Sequence, residues 1–444
     1  MNIVFILTIG FITRLFSLNQ SLWLDEATTG LVSQMPTADI FSKFLVNDFH
    51  PPLYYLFMRG WSLIFGSSEI ALRTPSILFS LATIYLVHEI YKLLVNKKDA
   101  WIPALMLATS GLFVYYSQEA RAYMMSTFLV TLAIFSFVKM VKSPRVGYGL
   151  LFSLSLAFLS MSDYLPNFVI LVFWIIGMKK YIASHIILAI SWLLWLPIFL
   201  KQLTGGLSVS SNSPAWWDIL GKFSFKEIIL IPTKFIIGRV SLDNKILYGG
   251  LVLVLLLLFS FLIYKSLKAF KKVKLIYLWL FVPLGLTILL SIKLPVLTYF
   301  RLLFVLPAFY ILVSVGVTNL KKPWKNLALG LLVFINLTTT VYYLSNTKFH
   351  RENWREIVLD IKATESVAVF PSMAQREAFL YYEGGPKIVE VQNLTKEEKG
   401  VWLMRYVSEI SDPKDTARAT IEQLGYKKVG EVDYNGVLVW KYEK

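Results

Sequence analysis

The sequence predicts a polytopic α-helical membrane protein with a small C-terminal α/β soluble domain. Three observations carry this reading. Hydrophobic residues make up 56% of the 444 and charged residues only 16%, where a soluble domain carries roughly 25% charge. The apolar residues gather in long runs over 1–345, and 346–444 reads as ordinary soluble sequence. The formal net charge of +16 raises the idea of a nucleic-acid partner. Its placement argues against one, because the excess Lys and Arg sit in short links between apolar runs, as membrane topology requires. Cysteine is absent, which removes disulfides, thiolate metal sites and thiol catalysis.

A helix crosses the hydrocarbon with about 20 apolar residues. About eleven runs qualify, near 2–18, 71–95, 101–117, 122–139, 147–162, 165–178, 182–200, 247–264, 275–292, 301–319 and 327–345. The first lacks a basic leader and a cleavage pattern, so it reads as an uncleaved span. The stretch 51–66 is short and interrupted by Arg59, which suits a helix lying in the interface. With the N-terminus inside, every even-numbered span ends in a basic cluster: Lys97-Lys98, Lys139/Lys142/Arg145, Lys179-Lys180, Lys265 to Lys274, and Lys321/Lys322/Lys325. Counting 51–66 as a crossing would turn the later clusters outward, against the positive-inside rule. Residues 1–345 are thus expected to form a membrane domain with interfacial helices in the outer loops 19–70 and 201–246. The latter holds Pro214-Ala215-Trp216-Trp217 and an apolar stretch at 227–238.

The tail 346–444 is expected outside as a separate domain. Residues 352–363 have helical spacing; 366–370, 387–391 and 400–406 read as strands, and 372–382 and 412–424 as helices. The last two strands are joined at Asn435-Gly436, a strong hairpin signal. Alternating strands and helices predict a small α/β sandwich.

The polar residues at the ends of the spans collect on the outer face. Asp25-Glu26 follows span one; a solvated loop pair and a general base for an acceptor hydroxyl are comparable readings from position alone. His50 opens 51–66 before two prolines, with Tyr54 behind it. Tyr116, Glu119 and Arg121 form the turn between spans three and four, where an ion pair pinning the turn is the plain alternative. Arg73 and Arg301 begin spans, and Asp163-Tyr164 link spans five and six. A guanidinium at such a boundary grips a phosphate bidentately, or snorkels to headgroups. Acids, arginines and a histidine over a greasy body suit sugar transfer from a lipid phosphate.

The order of the Asp-Glu pair, HPPLYYLFMRGWSLIFGSSEIALRTPSILFSLATIYLVHEIYKLL (50–94) and YYSQEARAYMMSTFLV (115–130) resembles family 39 glycosyltransferases of the GT-C superfamily, kin to protein O-mannosyltransferases and lipid A aminoarabinose transferases. RLLFVLPAFYILV (301–313) and NWREIVLDIKA (353–363) are similar to late segments of these proteins. The resemblance implies a GT-C fold and an inverting hexosyl- or pentosyltransferase. It implies a polyprenyl-phosphate sugar donor and a lipid, polysaccharide or protein acceptor in the cell envelope, as in lipopolysaccharide or protein glycosylation. The work would be done at the outer face of the plasma membrane. Carried over, Asp25 is the base, with Glu26 and Glu119 as further catalytic acids. Arg121, Arg301 and Arg73 grip the lipid phosphate, and His50, Tyr54, Tyr116, Asp163 and Tyr164 join the binding set. Two departures stand out: Asp163 replaces a His common before that Tyr, and Asn353 replaces the Asp of Asp-Trp-Arg. Some GT-C enzymes use a divalent cation (Mg or Mn), which two spaced carboxylates would hold; no metal ligand is assigned. A lipid-linked sugar flippase or transporter is the rival, but the midplane polar lining and repeats of such proteins are not seen.

Overall fold

The computed structural model describes residues 1–177, 182–212, 221–364, 366–382 and 387–444. The expected basic pair Lys179-Lys180 and the Pro214 to Trp217 stretch lie outside them. The chain forms two compact units. The first comprises Met1–Phe16, Thr37–Phe57 and Arg73–Ser345; the second comprises Ser17–Pro36, Met58–Leu72 and Asn346–Lys444. Two segments of the first 72 residues, Ser17–Pro36 and Met58–Leu72, thus group by compactness with the C-terminal stretch rather than with the rest of the expected membrane domain.

Five helical runs among the described residues are long and apolar enough to cross a membrane: Glu69–Leu94, Tyr123–Lys142, Ile186–Gly206, Lys245–Leu290 and Lys322–Ser345. Four more apolar helical stretches, Ile3–Leu15, Val146–Ser160, Leu165–Ile176 and Leu303–Thr318, are shorter. Eleven crossings are thus not reached by length alone. In chain order the principal helices are α1 (Ile3–Leu15), α2 (Leu24–Gln34), α3 (Leu53–Phe65), α4 (Glu69–Leu94), α5 (Trp101–Thr109), α6 (Gly111–Ser117), α7 (Tyr123–Lys142), α8 (Val146–Ser160) and α9 (Phe168–Ile176). They continue with α10 (Ile182–Asn212), α11 (Phe225–Ile237), α12 (Lys245–Ser266), α13 (Phe270–Leu290), α14 (Leu306–Thr318) and α15 (Lys322–Ser345).

Several boundaries differ from expectation for local reasons. The run 101–117 is two helices, because Ser110 leaves the helical region and its Oγ accepts from Phe113 N at 3.5 Å. Serine is a favoured N-cap, so the Thr-Ser-Gly sequence restarts the helix. The helix expected at 182–200 runs on as α10 to Asn212. The stretch 51–66, expected to lie in the interface, forms α3, whose 13 residues extend only ~20 Å, too little for a hydrocarbon core of about 30 Å. Asp25 and Glu26 do not sit in a loop: they occupy the first turn of α2, where their charge complements the helix dipole.

α14 is buried on every side, from Leu306 through Val317, as an all-round apolar helix must be. Gly316 allows a close approach, since a Cβ there would fall 1.9 Å from Leu262 O of α12. By contrast α10, α12 and α15 expose large apolar side chains, such as Leu194 at 79% and Ile246 at 89%. Such surfaces are stable against lipid, which places the protein in a membrane.

In the second unit, α16 (Trp354–Ala363), α17 (Glu377–Tyr381) and α18 (Thr416–Gln423) accompany a five-stranded sheet. Its strands are β1 (Val367–Phe370), β2 (Ile388–Glu390), β3 (Gly400–Met404), β4 (Lys427–Asp433) and β5 (Leu438–Glu443), in the order β2-β1-β3-β5-β4. β1 pairs in parallel with β2 and β3, and β5 runs antiparallel to β3 and β4. Val367, Val369, Leu403, Ile421 and Tyr442 form its core. Asn435 (φ 56°) and Gly436 (φ 100°) are both left-handed, as the hairpin turn between β4 and β5 requires. The helix expected at 372–382 is shorter: a single 3-10 turn precedes α17.

Candidate active site

In the first unit the polar residues expected at the ends of the spans do come together. The loop before α3 holds His50, whose Nδ1 lies 3.1 Å from Asp48 Oδ2 and whose Nε2 lies 3.3 Å from an Arg121 guanidinium nitrogen. A guanidinium only donates, so Nε2 accepts and Nδ1–H donates to Asp48. Burial alone would push the Asp48 carboxyl up; its interactions with His50, with the charge of Arg121 behind them, hold it below its usual range instead. The loop is fixed from below by Gln202 of α10, which donates through Nε2 to Leu45 O (2.6 Å) and His50 O (3.1 Å). Gln202 in turn accepts from the Tyr164 hydroxyl, which receives a bond from Trp195 Nε1 at 2.9 Å. Burial pushes the carboxyl of Asp163, beside it, above the usual value, although the neighbouring His50 and Arg301 work against this.

Glu119 is 1% exposed, and its backbone carbonyl accepts from Ser76 Oγ at 2.6 Å. Its charge and the Tyr115, Tyr116 and Tyr299 hydroxyls act on Arg239, the residue after the C-cap of α11. Arg239 stacks on the Tyr115 ring at 4.6 Å and donates to its hydroxyl. Burial disfavours the Arg239 charge, but these groups more than offset it and hold the guanidinium's pKa above its ordinary value. The Tyr116 ring packs against Tyr115, Tyr123 and Phe300. Arg301 precedes the helical part of its span and donates to Pro295 O at 2.8 Å. Arg73 and Tyr54 are buried, Tyr54 edge-on to Tyr55.

The second unit holds the Asp25-Glu26 pair. Glu26 is fully buried and meets Arg351 Nε at 3.0 Å. α2 packs directly on α17. Gly30 makes this possible, because a Cβ there would sit 2.6 Å from Cε2 of Tyr381. Glu377 opens α17. Burial first, and the charge of Asp25 in lesser measure, push its carboxyl above the usual range against a backbone N–H and Arg376. The motif Asn353-Trp354-Arg355 is a docking element: Trp354 is buried, and Arg355 donates to Asn19 O (2.6 Å) and pairs with Glu69 (2.9 Å). The Tyr382 hydroxyl accepts from Leu22 N at 2.7 Å and bonds Glu69 at 3.2 Å.

Of the residues expected from sequence, His50, Arg121, Asp163 and Arg301 share one electrostatic cluster, with Tyr164 bracing it. Tyr116 and Glu119 share another centred on Arg239; Asp25 and Glu26 belong to the second unit. Sequence reasoning missed Asp48, Gln202, Arg239, Arg351 and Glu377. Only Asp48 had a local signal, two residues before His50. No three His, Asp or Glu side chains among the described residues converge to hold a metal.

Residues 49–203 match the family described as dolichyl-phosphate-mannose-protein mannosyltransferase. No curated protein matches the chain in sequence. Among solved structures, apo ArnT from Cupriavidus metallidurans is similar over 99% of this chain and 96% of its own, with TM-score 0.60 at 13% identity. The same protein bound to undecaprenyl phosphate gives 0.59 at 12% identity, with the same coverage. The oligosaccharyltransferase AglB from Archaeoglobus fulgidus, in complex with an inhibitory peptide and a dolichol-phosphate, gives 0.55 at 11% identity, over 99% of this chain and 74% of its own. At these identities the likeness is one of fold.

Proposed function

We propose that this GT-C-fold membrane protein is an inverting glycosyltransferase, moving one hexosyl or pentosyl group from a polyprenyl phosphate to an acceptor hydroxyl at the outer face of the plasma membrane. The acceptor is a lipid, a polysaccharide or a protein. The observation that carries the reading is the division of labour within the carboxylate pair. Glu26 is bound to Arg351 at 3.0 Å inside the second unit, which supports a role for it in holding α2. Asp25, its neighbour on the same turn, is the base. The fold supports the donor class, because similar structures were solved with undecaprenyl phosphate and with dolichol-phosphate.

In this mechanism Asp25 takes the proton of the acceptor hydroxyl as its oxygen attacks the anomeric carbon. The bond from that carbon to the phosphate oxygen breaks on the opposite face, so configuration inverts and the electron pair returns to the lipid phosphate. Arg121 and Arg301, with the newly identified Arg239, stabilise that charge. Glu119 adds its charge to the groups that act on Arg239. No step passes through a divalent cation; adding Mg or Mn to chelator-treated membranes tests whether one is needed.

The decisive measurement is Asp25→Asn in membranes supplied with radiolabelled polyprenyl-phosphate sugar. Loss of a general base lowers the rate by about 10²–10⁴. Full activity in the variant would remove Asp25 from the mechanism. Movement of labelled lipid across proteoliposomes without covalent transfer would replace the transferase by the flippase reading.

A further inference from the structure

One cleft lies wholly within the second unit. Its volume is about 780 Å³, inside the range of roughly 300–1,000 Å³ typical of ligand sites. Those sites are mostly apolar, and this one is not. Its walls come from Asn19–Ser21, from the start and outer face of α16, and from the β4–β5 turn. They carry the carboxylates Glu356, Asp360 and Asp433 beside amides and hydroxyls, with Leu359 and Val432 as the apolar patch.

The charges decide what fits. Both wall arginines are already neutralised, Arg351 by Glu26 at 3.0 Å and Arg355 by Glu69 at 2.9 Å. Lys441 lies over the Trp402 ring at 4.0 Å. An anion entering the cleft would face three carboxylates with its cations already engaged, and an apolar ligand would strand the polar walls at a cost in affinity. Donors come from the amides of Gln20, Asn353 and Asn435 along the same walls. Paired acceptors and donors around a small apolar patch match a chain of vicinal hydroxyls.

We infer that this cleft binds a neutral carbohydrate chain, the glycan portion of the acceptor. The assignment to the acceptor rests on the transferase reading; the binding itself does not. Asp360 is held by the Tyr434 hydroxyl at 2.6 Å, and the turn by Asn435 Nδ2 on His350 O and Arg351 O at 3.0 and 2.9 Å. The walls are therefore pre-organised, which lowers the ordering cost of binding.

The test uses the purified full chain and calorimetric titration with short neutral oligosaccharides and matched uronic-acid oligosaccharides. Glu356 and the 60%-exposed Leu359 are on the surface of α16, so Glu356→Ala and Leu359→Trp leave the fold intact, as an unchanged melting curve would verify. Binding of at least one neutral oligosaccharide, weakened about tenfold by either substitution, is the expected result. Undecaprenyl phosphate binding should be unmoved by both. If no neutral oligosaccharide binds, if the acidic series binds more tightly, or if both variants bind as the parent does, the inference is overturned. Should the parent bind oligosaccharide yet transfer no sugar, the cleft stands and the transferase reading falls.

Discussion

Glu26 and Arg351 are buried together, 0% and 2% exposed at their side chains. Desolvating both charges leaves little net stabilisation while they are paired, but removing one strands the other. Arg351→Ala should therefore cost about 3–5 kcal/mol, seen as a lowered melting temperature of the detergent-purified chain. Replacing both with apolar residues of similar volume should recover most of that loss. Glu377 predicts a pH effect in the same unit. Its carboxyl binds its proton more tightly folded than unfolded, so the stabilising contribution is full below the ordinary Glu value of 4.5 and is lost as pH rises through the raised folded value. Glu377→Gln keeps the neutral form at all pH. Its melting temperature should stay flat across that window, where the parent's falls; parallel curves would show that Glu377 does not titrate there.

At the scale of elements, α2 and α17 meet through a glycine. Gly30→Ala would drive a methyl against the Tyr381 ring, whose hydroxyl is held by Ser67 O, so the ring has little room to yield. Overpacking of this kind costs about 1–3 kcal/mol. Adding Tyr381→Leu should restore part of it, and a double-mutant cycle by thermal melting measures the coupling. Additive losses would mean the two helices do not press on one another here. This contact also shows why the sequence was only half legible. The strands β1 to β5 announced themselves through apolar runs and the Asn435-Gly436 turn, because those cues are local. Asp25-Glu26 and His50 stood out as polar residues next to apolar runs. The partners that give them meaning, Arg351 and Glu377 for the first and Gln202 for the second, lie about 150 to 350 residues along the chain. Nothing near them in sequence marks that role. Arg239 was hidden for the same reason, as one more cation at a helix end until Tyr115 and Glu119 were placed around it.

The whole molecule is organised by where its charge goes. Excess Lys and Arg sit in links such as Lys265 to Lys274, while α16 and the sheet belong to a polar unit. If those links are cytoplasmic, as the positive-inside rule requires, an odd number of crossings places the C-terminal unit, Asp25 and the carbohydrate cleft on the opposite side. The five long helices and four shorter apolar stretches leave that parity to be measured. The chain has no cysteine, so single substitutions report without background. Lys272→Cys and Lys362→Cys are both at exposed positions, one in a basic link and one on α16. In intact cells a membrane-impermeant maleimide should label Lys362→Cys at once and Lys272→Cys only after permeabilisation. The reverse pattern would put Asp25 in the cytoplasm. Labelling of both before permeabilisation would mean that one of the connecting stretches does not cross, with α13 the first to re-examine because Val273 breaks its helical geometry near the start.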